Sequence, residues 1–600
     1  MTNALTPREV RAVRLGPGAG RDPERADAPA PGAPAAILPG ETLAAVLEAA
    51  FARDPGRRLL HFVNDDGTVG TVRAGELRAL ARAVAAGLRR AGVGPGDAVL
   101  LAMDTSPALV ASFVACVFLG ATPCITDLPF SAHGAPAWRE KFRARAALVG
   151  ARVVVAARES LPLVRDEGPA AFTAEELSAE APAGAPDEAP AAAPESPAFF
   201  QFTSGTVSGG RAIRLSNRAV VANLRQIQGG CEWTTTDLFV SWLPLYHDLG
   251  LVGQLLAPLA AGLPAVLLSP LHFLLRPASW LWAIHYFRGT VAFAPNFAFE
   301  MCAAMVQPAK TEGLDLGSLH SACNCAEFIH TSTLRRFAER YAPHGFRYEA
   351  WRPAYGMAEA VVGVTVRRRG APLRVDRISR QALGAAGRAE PAAEGGADAV
   401  EIVSVGPPLP GVSARVVGPG GEDLPERHEG VVMLSGPSIF DGYQHDPEAT
   451  SAVLRDGWLS TGDLGYLAGG ELFICGRAKD LIIKGGENYH PYAFERAAAD
   501  VPGLRAGRVA ALGVPNPATG TEDFCLAFET EEGDPERLRE ICSLVERELL
   551  RRFGVRPDRV APIPLRAIPK TTSGKIRRGS LAQKLDELDK LRRPAPGAAR

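Results

Sequence analysis

The chain reads as an α/β protein of more than one domain, and three observations lead there. Its 600 residues exceed what one hydrophobic core usually organises. Through the first half of the chain, helical faces, glycine stops and short apolar strands recur in turn. Further on the composition changes twice. A polar, Ala/Gly/Glu-rich passage follows Thr365, and a second break falls near Lys479.

Taken in order, residues 1–40 are rich in Pro, Gly, Ala and charge without any period, and read as a disordered tail. Order is expected from Thr42, because Leu43, Val46, Leu47, Ala50 and Phe51 fall on one helical face. Leu77, Leu80, Ala81, Val84 and Leu88 make a second amphipathic helix that stops at Gly92. Gly94-Pro95-Gly96 then turns into an apolar strand over Ala98–Met103. Ser178–Pro197 is an Ala/Pro/Glu linker. Alternating runs between Ile402 and Val432, broken by Gly and Pro, suggest a small β-subdomain. Beyond Lys479 come strands at Val509–Val514 and Phe524–Phe528, then a helix carrying Leu538, Ile541, Leu544, Val545 and Leu549. They make a small α+β unit.

Composition excludes several classes. The hydrophobic and charged fractions, 47% and 22%, are those of an ordinary globular protein. A net charge of −1 gives no electrostatic reason to expect nucleic acid. The nine cysteines are scattered, and Cys323 and Cys325 lack a second pair at zinc spacing, so reduced thiols and a cytoplasmic setting are expected. The amino terminus has no signal pattern. Two uncharged runs, Thr105–Thr126 and Leu249–Leu275, are interrupted by Pro107 and Pro123 and by Pro258, Pro264 and Pro270. A spanning helix needs about 20 apolar residues in one run, so both read as buried elements.

The stretch from Gln201 to Ile213, Gln-Phe-Thr-Ser-Gly-Thr-Val-Ser-Gly-Gly-Arg-Ala-Ile, combines turn-forming glycines with the hydroxyls of Thr203, Ser204 and Thr206 and the charge of Arg211. Such a loop can turn backbone N–H groups onto the phosphates of a nucleotide; the other reading is a flexible surface loop. Trp242–Gly253 places His247 and Asp248 in an apolar passage, where both must be paired or face a ligand. A satisfied core histidine is the alternative. Ala350–Glu359 sets Tyr355 and Glu359 four residues apart among small residues, so the ring could stack on a purine and the carboxylate could meet a metal. Gly457–Asp463 offers a carboxylate able to bond both hydroxyls of a ribose, and Arg477 could add a further contact. Solvated surface charges are the competing reading of both turns. Pro569–Lys575 is a turn with two lysines, otherwise an exposed basic loop. No Walker sequence occurs.

The order of these segments resembles the adenylate-forming (ANL) superfamily of acyl-CoA synthetases, fatty acyl-AMP ligases, luciferases and peptide-synthetase adenylation domains, over about residues 41–580. Trp242–Gly253, Ala294–Phe299 and the polar segment after Glu359 look most like the fatty acyl-AMP ligases. The resemblance implies a tail at 1–40, a large domain at 41–478 made of two α/β subdomains and a β-barrel, a small mobile α+β domain at 479–590, and a second tail at 591–600. It implies a hinge at Lys479. Thr203, Ser204, Gly205 and Thr206 would hold phosphates, and Tyr355 and Gly356 the adenine. Asp463 and Arg477 would hold the ribose, and Glu359 with Thr206 the metal. Lys575 would bridge the acyl carboxylate and the α-phosphate. His247 would lie by an acyl tunnel lined by Phe297 and Trp242.

The activity so implied uses ATP and Mg2+ to turn a fatty or related carboxylic acid into acyl-AMP with release of pyrophosphate. The acyl group would then pass to the phosphopantetheine thiol of an acyl carrier protein. The chain ends too soon after the lysine turn to hold a carrier domain, so a carrier is expected in trans. Two departures bear on this. Arg211 stands where the family usually has lysine, and its planar fork places charge differently. Gly485-Gly486-Glu487-Asn488 looks more like the coenzyme A ligases. An acyl-CoA ligase is therefore the alternative, and an inactive adenylate-binding scaffold the alternative from another class.

Overall fold

The computed structural model describes residues 7, 9–23, 32–35, 39–129, 135–179, 192–203, 210–392, 398–484, 487–504, 507–516, 521–570 and 576–590. Two sheets, one mixed and one parallel, organise the large part of the chain. The first has seven strands. Arg58–Val63, Ala265–Leu268, Phe239–Ser241, Val291–Pro295 and the edge strand Ser321–Cys325 run parallel to one another, while Thr68–Arg73 pairs antiparallel with Arg58–Val63. The second has four parallel strands with Ala98–Ala102 and Ala151–Ala156 at its centre. Strands covered on both faces read as continuous apolar runs, and Ala98–Ala102 is buried at every position.

The helices Leu43–Arg53, Ala74–Arg90 and Pro107–Leu119 fill one core with residues of the sheets. Thr42 caps the first through its hydroxyl on Ala45 N, and Leu43, Val46, Leu47, Ala50 and Phe51 are its buried face. The run Thr105–Thr126 is the helix Pro107–Leu119, stopped by left-handed Gly120, followed by the strand Thr122–Ile125. Leu249–Leu275 breaks into a π-helical segment, two short helices and a strand. No helix among the described residues is long and apolar enough to cross a membrane.

The disordered reading of residues 1–40 is corrected where the chain is described. Glu9–Ala12 pairs antiparallel with the edge strand Thr68–Arg73. Arg58 bonds Glu9 at 2.8 Å and Arg11 bonds Asp22 at 2.8 Å. Ala35 N donates to Trp233 O. A four-residue strand takes its stability from the edge it joins, and composition carries no trace of that edge. Residues 180–191 of the Ala/Pro/Glu linker lie outside the described residues.

From Ser413 to Arg477 the chain forms a five-stranded antiparallel sheet, which extends well beyond the β-subdomain expected at Ile402–Val432. The polar passage before it is built: Val375–Ser379 pairs with Ala399–Val403, and the helix Arg380–Ala386 lies between them. After Lys479 the cores are separate from the large one. Ile482, Phe494, Phe524 and Val545 belong to one cluster, and Leu512, Ala561 and Leu581 to another. The strands Val509–Asn516, Thr521–Glu529 and Arg559–Ile563 make their sheet.

Candidate active site

The described ends of the stretch proposed to grip phosphates lie on two paired strands. Strands Pro197–Phe202 and Ala212–Ser216 pair antiparallel, and the pairing closes with Thr203 N donating to Arg211 O at 2.8 Å. Arg211 N donates to the Thr203 hydroxyl at 3.0 Å. Gly210 sits at φ +75, and a Cβ there would meet Thr203 O at 2.7 Å, so the closure needs glycine. Ser204, Gly205 and Thr206 lie outside the described residues, as does Lys575.

Strand register builds the next feature. Asp463 and Arg477 face each other across the paired strands Trp458–Ala468 and Glu471–Arg477. Arg477 Nε lies 3.0 Å from Asp463 Oδ1, and the Tyr355 hydroxyl donates to Asp463 Oδ2 at 2.6 Å. Asp463 is only 5% exposed, and a buried carboxylate needs such partners. Burial, then the Asp463 charge, pushes the Tyr355 phenol well above its ordinary pKa. The Asp463 charge raises Arg477 further, against burial.

Glu359 stands on the short turn Ala358–Ala360, and its Oε1 accepts from the Tyr443 hydroxyl at 2.9 Å. Burial raises its pKa above the usual carboxylate range; the Tyr443 bond opposes that rise, and the Asp248 charge adds to it. Magnesium commonly takes one or two protein carboxylates, with water and substrate phosphates completing its shell. A buried carboxylate raised by its surroundings, beside a second acid, suits a dication. No group of three metal-ligating side chains exists among the described residues. Gly356 permits the turn itself, since a Cβ there would lie 1.6 Å from Val362 O.

Tyr443 was not among the residues singled out from the sequence. Strand Gly442–Tyr443 pairs with Arg214 and Ile213, which brings it beside the phosphate hairpin. Arg211 lies over its ring at 5.3 Å and bonds Asp446 at 3.0 Å. The Gly-Tyr turn followed by Asp446 is the only sequence signal, and nothing local links it to Glu359.

Three aromatic rings of the predicted acyl side gather together. Trp242 stacks on Phe273 at 4.0 Å and meets Phe297 edge-on at 5.9 Å. His247 Nδ1 lies 3.0 Å from Asp248 Oδ1, and His247 is a quarter exposed. Asp248 also accepts from Leu249 N at 2.7 Å and so caps the π-helical segment Leu249–Leu256. Such segments occur often at functional sites.

Lys479 lies exposed in the turn Ala478–Asp480, directly after Arg477. The small unit then packs back on the large one. His490 Nε2 meets Glu429 at 2.9 Å, and Tyr492 stacks on Phe328 at 3.6 Å. Lys141, bonded to Asp127 at 2.9 Å, is lowered in pKa by burial, then by Arg145, with Arg577 also contributing. Arg145 in turn covers the Phe202 ring at 4.5 Å.

Asp463 with Tyr355 and Arg477, and Glu359 with Tyr443, thus form two polar clusters on an α/β scaffold. Residues 47–444 match the family of AMP-binding enzymes, and the chain belongs to that family. It is 34% identical over 512 residues to a Caulobacter vibrioides protein provisionally named an acyl-CoA synthetase, covering 84% of this chain and 88% of that one. It is also 34% identical over 411 residues to the long-chain-fatty-acid–AMP ligase FadD26 of Mycobacterium marinum, covering 64% and 69%. Among solved structures, a fatty acyl-adenylate ligase from a study of the E. coli and L. pneumophila enzymes superposes with a TM-score of 0.84 at 30% identity, covering 94% of this chain and 99% of that one. The fold is thus that of the ANL adenylate-forming ligases, and the chain is an enzyme of that class.

Proposed function

We propose that this enzyme converts a fatty or related carboxylic acid and ATP into acyl-AMP and pyrophosphate, then passes the acyl group to the phosphopantetheine thiol of a carrier protein. The observation that carries this reading is the convergence of Tyr355, Asp463 and Arg477 beside the Glu359–Tyr443 pair and the mouth of the phosphate hairpin. Similarity to the long-chain-fatty-acid–AMP ligase supports the choice of acid. The aromatic group of Trp242, Phe273 and Phe297 suits an acyl chain.

A carboxylate oxygen of the acid attacks the α-phosphorus. The bond from that phosphorus to the bridging oxygen of the β-phosphate breaks, and pyrophosphate leaves with the electron pair. Two anions must be brought within bonding distance, so positioning and charge stabilisation supply most of the catalysis. In this reading Asp463 and Arg477 hold the ribose, Tyr355 and Gly356 the adenine, and Thr203 to Thr206 the phosphates. Lys575 stabilises charge between acid and α-phosphate. Glu359, with Thr206, would hold Mg2+, which when bound neutralises phosphate charge as a Lewis acid. The acyl carbon is then attacked by the thiol, and AMP departs. Lys479 is the hinge about which the small domain turns between the two steps.

Carrier transfer is favoured because the built segment Val375–Val403 touches the small domain. Arg380 covers the Phe553 ring at 5.0 Å, and Gly384 lies against Asn488 O. A restrained small domain suits an acceptor that brings its pantetheine arm without a nucleotide. The second reading, transfer to coenzyme A, is favoured by Gly485-Gly486 and by the Caulobacter relative's name. A pyrophosphate-release screen over free acids of differing length, repeated with coenzyme A and with a phosphopantetheinyl carrier, decides between them. No exchange of pyrophosphate into ATP with any acid would leave the inactive scaffold.

A further inference from the structure

Between the strands Ala354–Tyr355 and Thr365–Val366, which pair antiparallel, runs the loop that carries Glu359. That loop contains a strained residue. Val361 sits at φ 66 and ψ −63, and Val362 N donates to Ala360 O at 2.8 Å. These values describe a γ-turn with positive φ, the rarer and strained of the two forms. For a β-branched side chain positive φ is a genuine outlier. Glycine would adopt it freely, yet valine stands here, fully buried in the large core.

Strain of this kind persists only where the surroundings over-determine the backbone, and Asn223 does that here. It belongs to the helix Asn217–Cys231, which directly follows the strand Ala212–Ser216. Its side chain is fully buried. Oδ1 accepts from Gly363 N at 3.1 Å, and Nδ2 donates to Gly363 O at 2.8 Å and to Gln226 Oε1 at 3.1 Å. One amide thus satisfies both backbone groups of the residue two past Val361. Gly363 lies so close to the helix that a Cβ would meet Ile227 Cγ1 at 2.8 Å. On the other flank of the turn, Phe440 N donates to Glu359 O at 2.9 Å, and the Tyr443 hydroxyl donates to the carboxylate. A turn relaxed to negative φ would swing Glu359 away from both.

We infer that Asn223 is a positioning residue, which holds the strained turn at Val361 and thereby aims the Glu359 carboxylate at the metal. This rests on the reading of Glu359 given above. A helix that merely packed on the loop would need the apolar contact of Ile227, but not an amide bonded to both backbone groups of Gly363.

The test uses the full chain, with dodecanoate, ATP and varied Mg2+ for pyrophosphate exchange. Removing a group that orients a metal ligand typically costs about 10- to 100-fold in metal affinity or activity. Asn223→Ala is therefore expected to raise the Mg2+ concentration for half-maximal exchange about tenfold and to lower kcat about 10- to 100-fold. ATP binding without Mg2+, followed by calorimetry, should stay within about twofold, because Tyr355 keeps its bond to Asp463. Amide hydrogen exchange over residues 357–364 of the free enzyme should quicken. Gly363→Ala, which leaves Asn223 intact but forces the loop off Ile227, carries the test should Asn223→Ala fold poorly, and the same Mg2+ shift is expected. Val361→Gly added to Asn223→Ala should recover about threefold or more of the lost kcat, since glycine holds positive φ without support. Additive losses in the double variant, unchanged hydrogen exchange, or a Mg2+ requirement within about twofold of the parent would each overturn the inference. Glu359→Gln runs in parallel. If it keeps the parent Mg2+ requirement, the reading of Glu359 fails and takes the inference with it. If it loses exchange while Asn223→Ala and Gly363→Ala are unaffected, only the inference fails.

Discussion

Asp463 shows how one side chain gathers its surroundings. Its two oxygens meet Arg477 and Tyr355, so substitution removes more than a ribose contact. Asp463→Asn is expected to weaken ATP binding by about 1.5–3 kcal/mol, the usual worth of a charge-assisted hydrogen bond. Calorimetric titration checks it, and an affinity within about twofold of the parent would remove Asp463 from the site. The melting temperature should fall too, because Tyr355 and Arg477 lose a buried partner. Tyr443→Phe leaves the ring under Arg211 but removes the hydroxyl from Glu359. The Mg2+ concentration for half-maximal pyrophosphate exchange is expected to rise about tenfold, from the loss of a hydrogen bond to a charged group. An unchanged Mg2+ dependence would show that Tyr443 does not support that carboxylate.

At the level of elements, the contact between the small and large units carries a pH signal. His330 lies beside Phe328 and Tyr492. Burial, then the Arg496 charge, lowers its pKa to about 4, against about 6.5 for a free imidazole. His490 and Glu429, paired at 2.9 Å, are two further ionisable groups of this contact, with Arg496, Tyr492 and Cys475 close by. As pH falls through about 6.5 the unfolded or undocked His330 takes a proton while the docked one does not. The docked state therefore loses stability as pH falls from about 6.5 toward 4, by at most about 3 kcal/mol. Melting curves and limited proteolysis between pH 7 and 5 should show this loss in the parent and a smaller one in His330→Gln. Identical slopes would assign the acid sensitivity elsewhere. Gly476 belongs to the same contact. A Cβ there would sit 2.7 Å from His490 Nδ1, so Gly476→Ala should push His490 off Glu429.

For the whole molecule the open choice is the acceptor. Tyr492 stacks on Phe328 and the helix Arg380–Ala386 sits against the small unit, which ties that unit to the large one from two sides. Tyr492→Ala is expected to loosen the tie and to raise acyl-CoA formation relative to carrier transfer, followed by mass spectrometry. If the parent already makes acyl-CoA over many turnovers and the variant changes nothing, the coenzyme A reading holds. Deleting the whole polar passage is the poorer experiment, because Val375–Ser379 is half of a two-stranded pairing and Ile378 lies in a core with Tyr466 and Phe473.

Much of the architecture was legible without coordinates, because its signals are local. The faces of Leu43–Arg53 and Ala74–Arg90 follow from helical spacing, and buried parallel strands from short apolar runs. His247 and Asp248 stood out as polar groups in an apolar passage, which the sequence alone marked as needing partners, and Glu359 as a carboxylate among small residues. Which partners they have was a tertiary decision. Tyr355 and Asp463 are 108 residues apart and Glu359 and Tyr443 are 84 apart, joined by side-chain hydrogen bonds that no spacing rule encodes. The same holds for the amino-terminal strand, whose order comes from the edge it joins, and for Arg211, which Asp446 and Tyr443 hold to one side. Periodicity and residue chemistry act within a few residues of one another. Register, burial and the pairing of distant charges exist only once the sheets have come together.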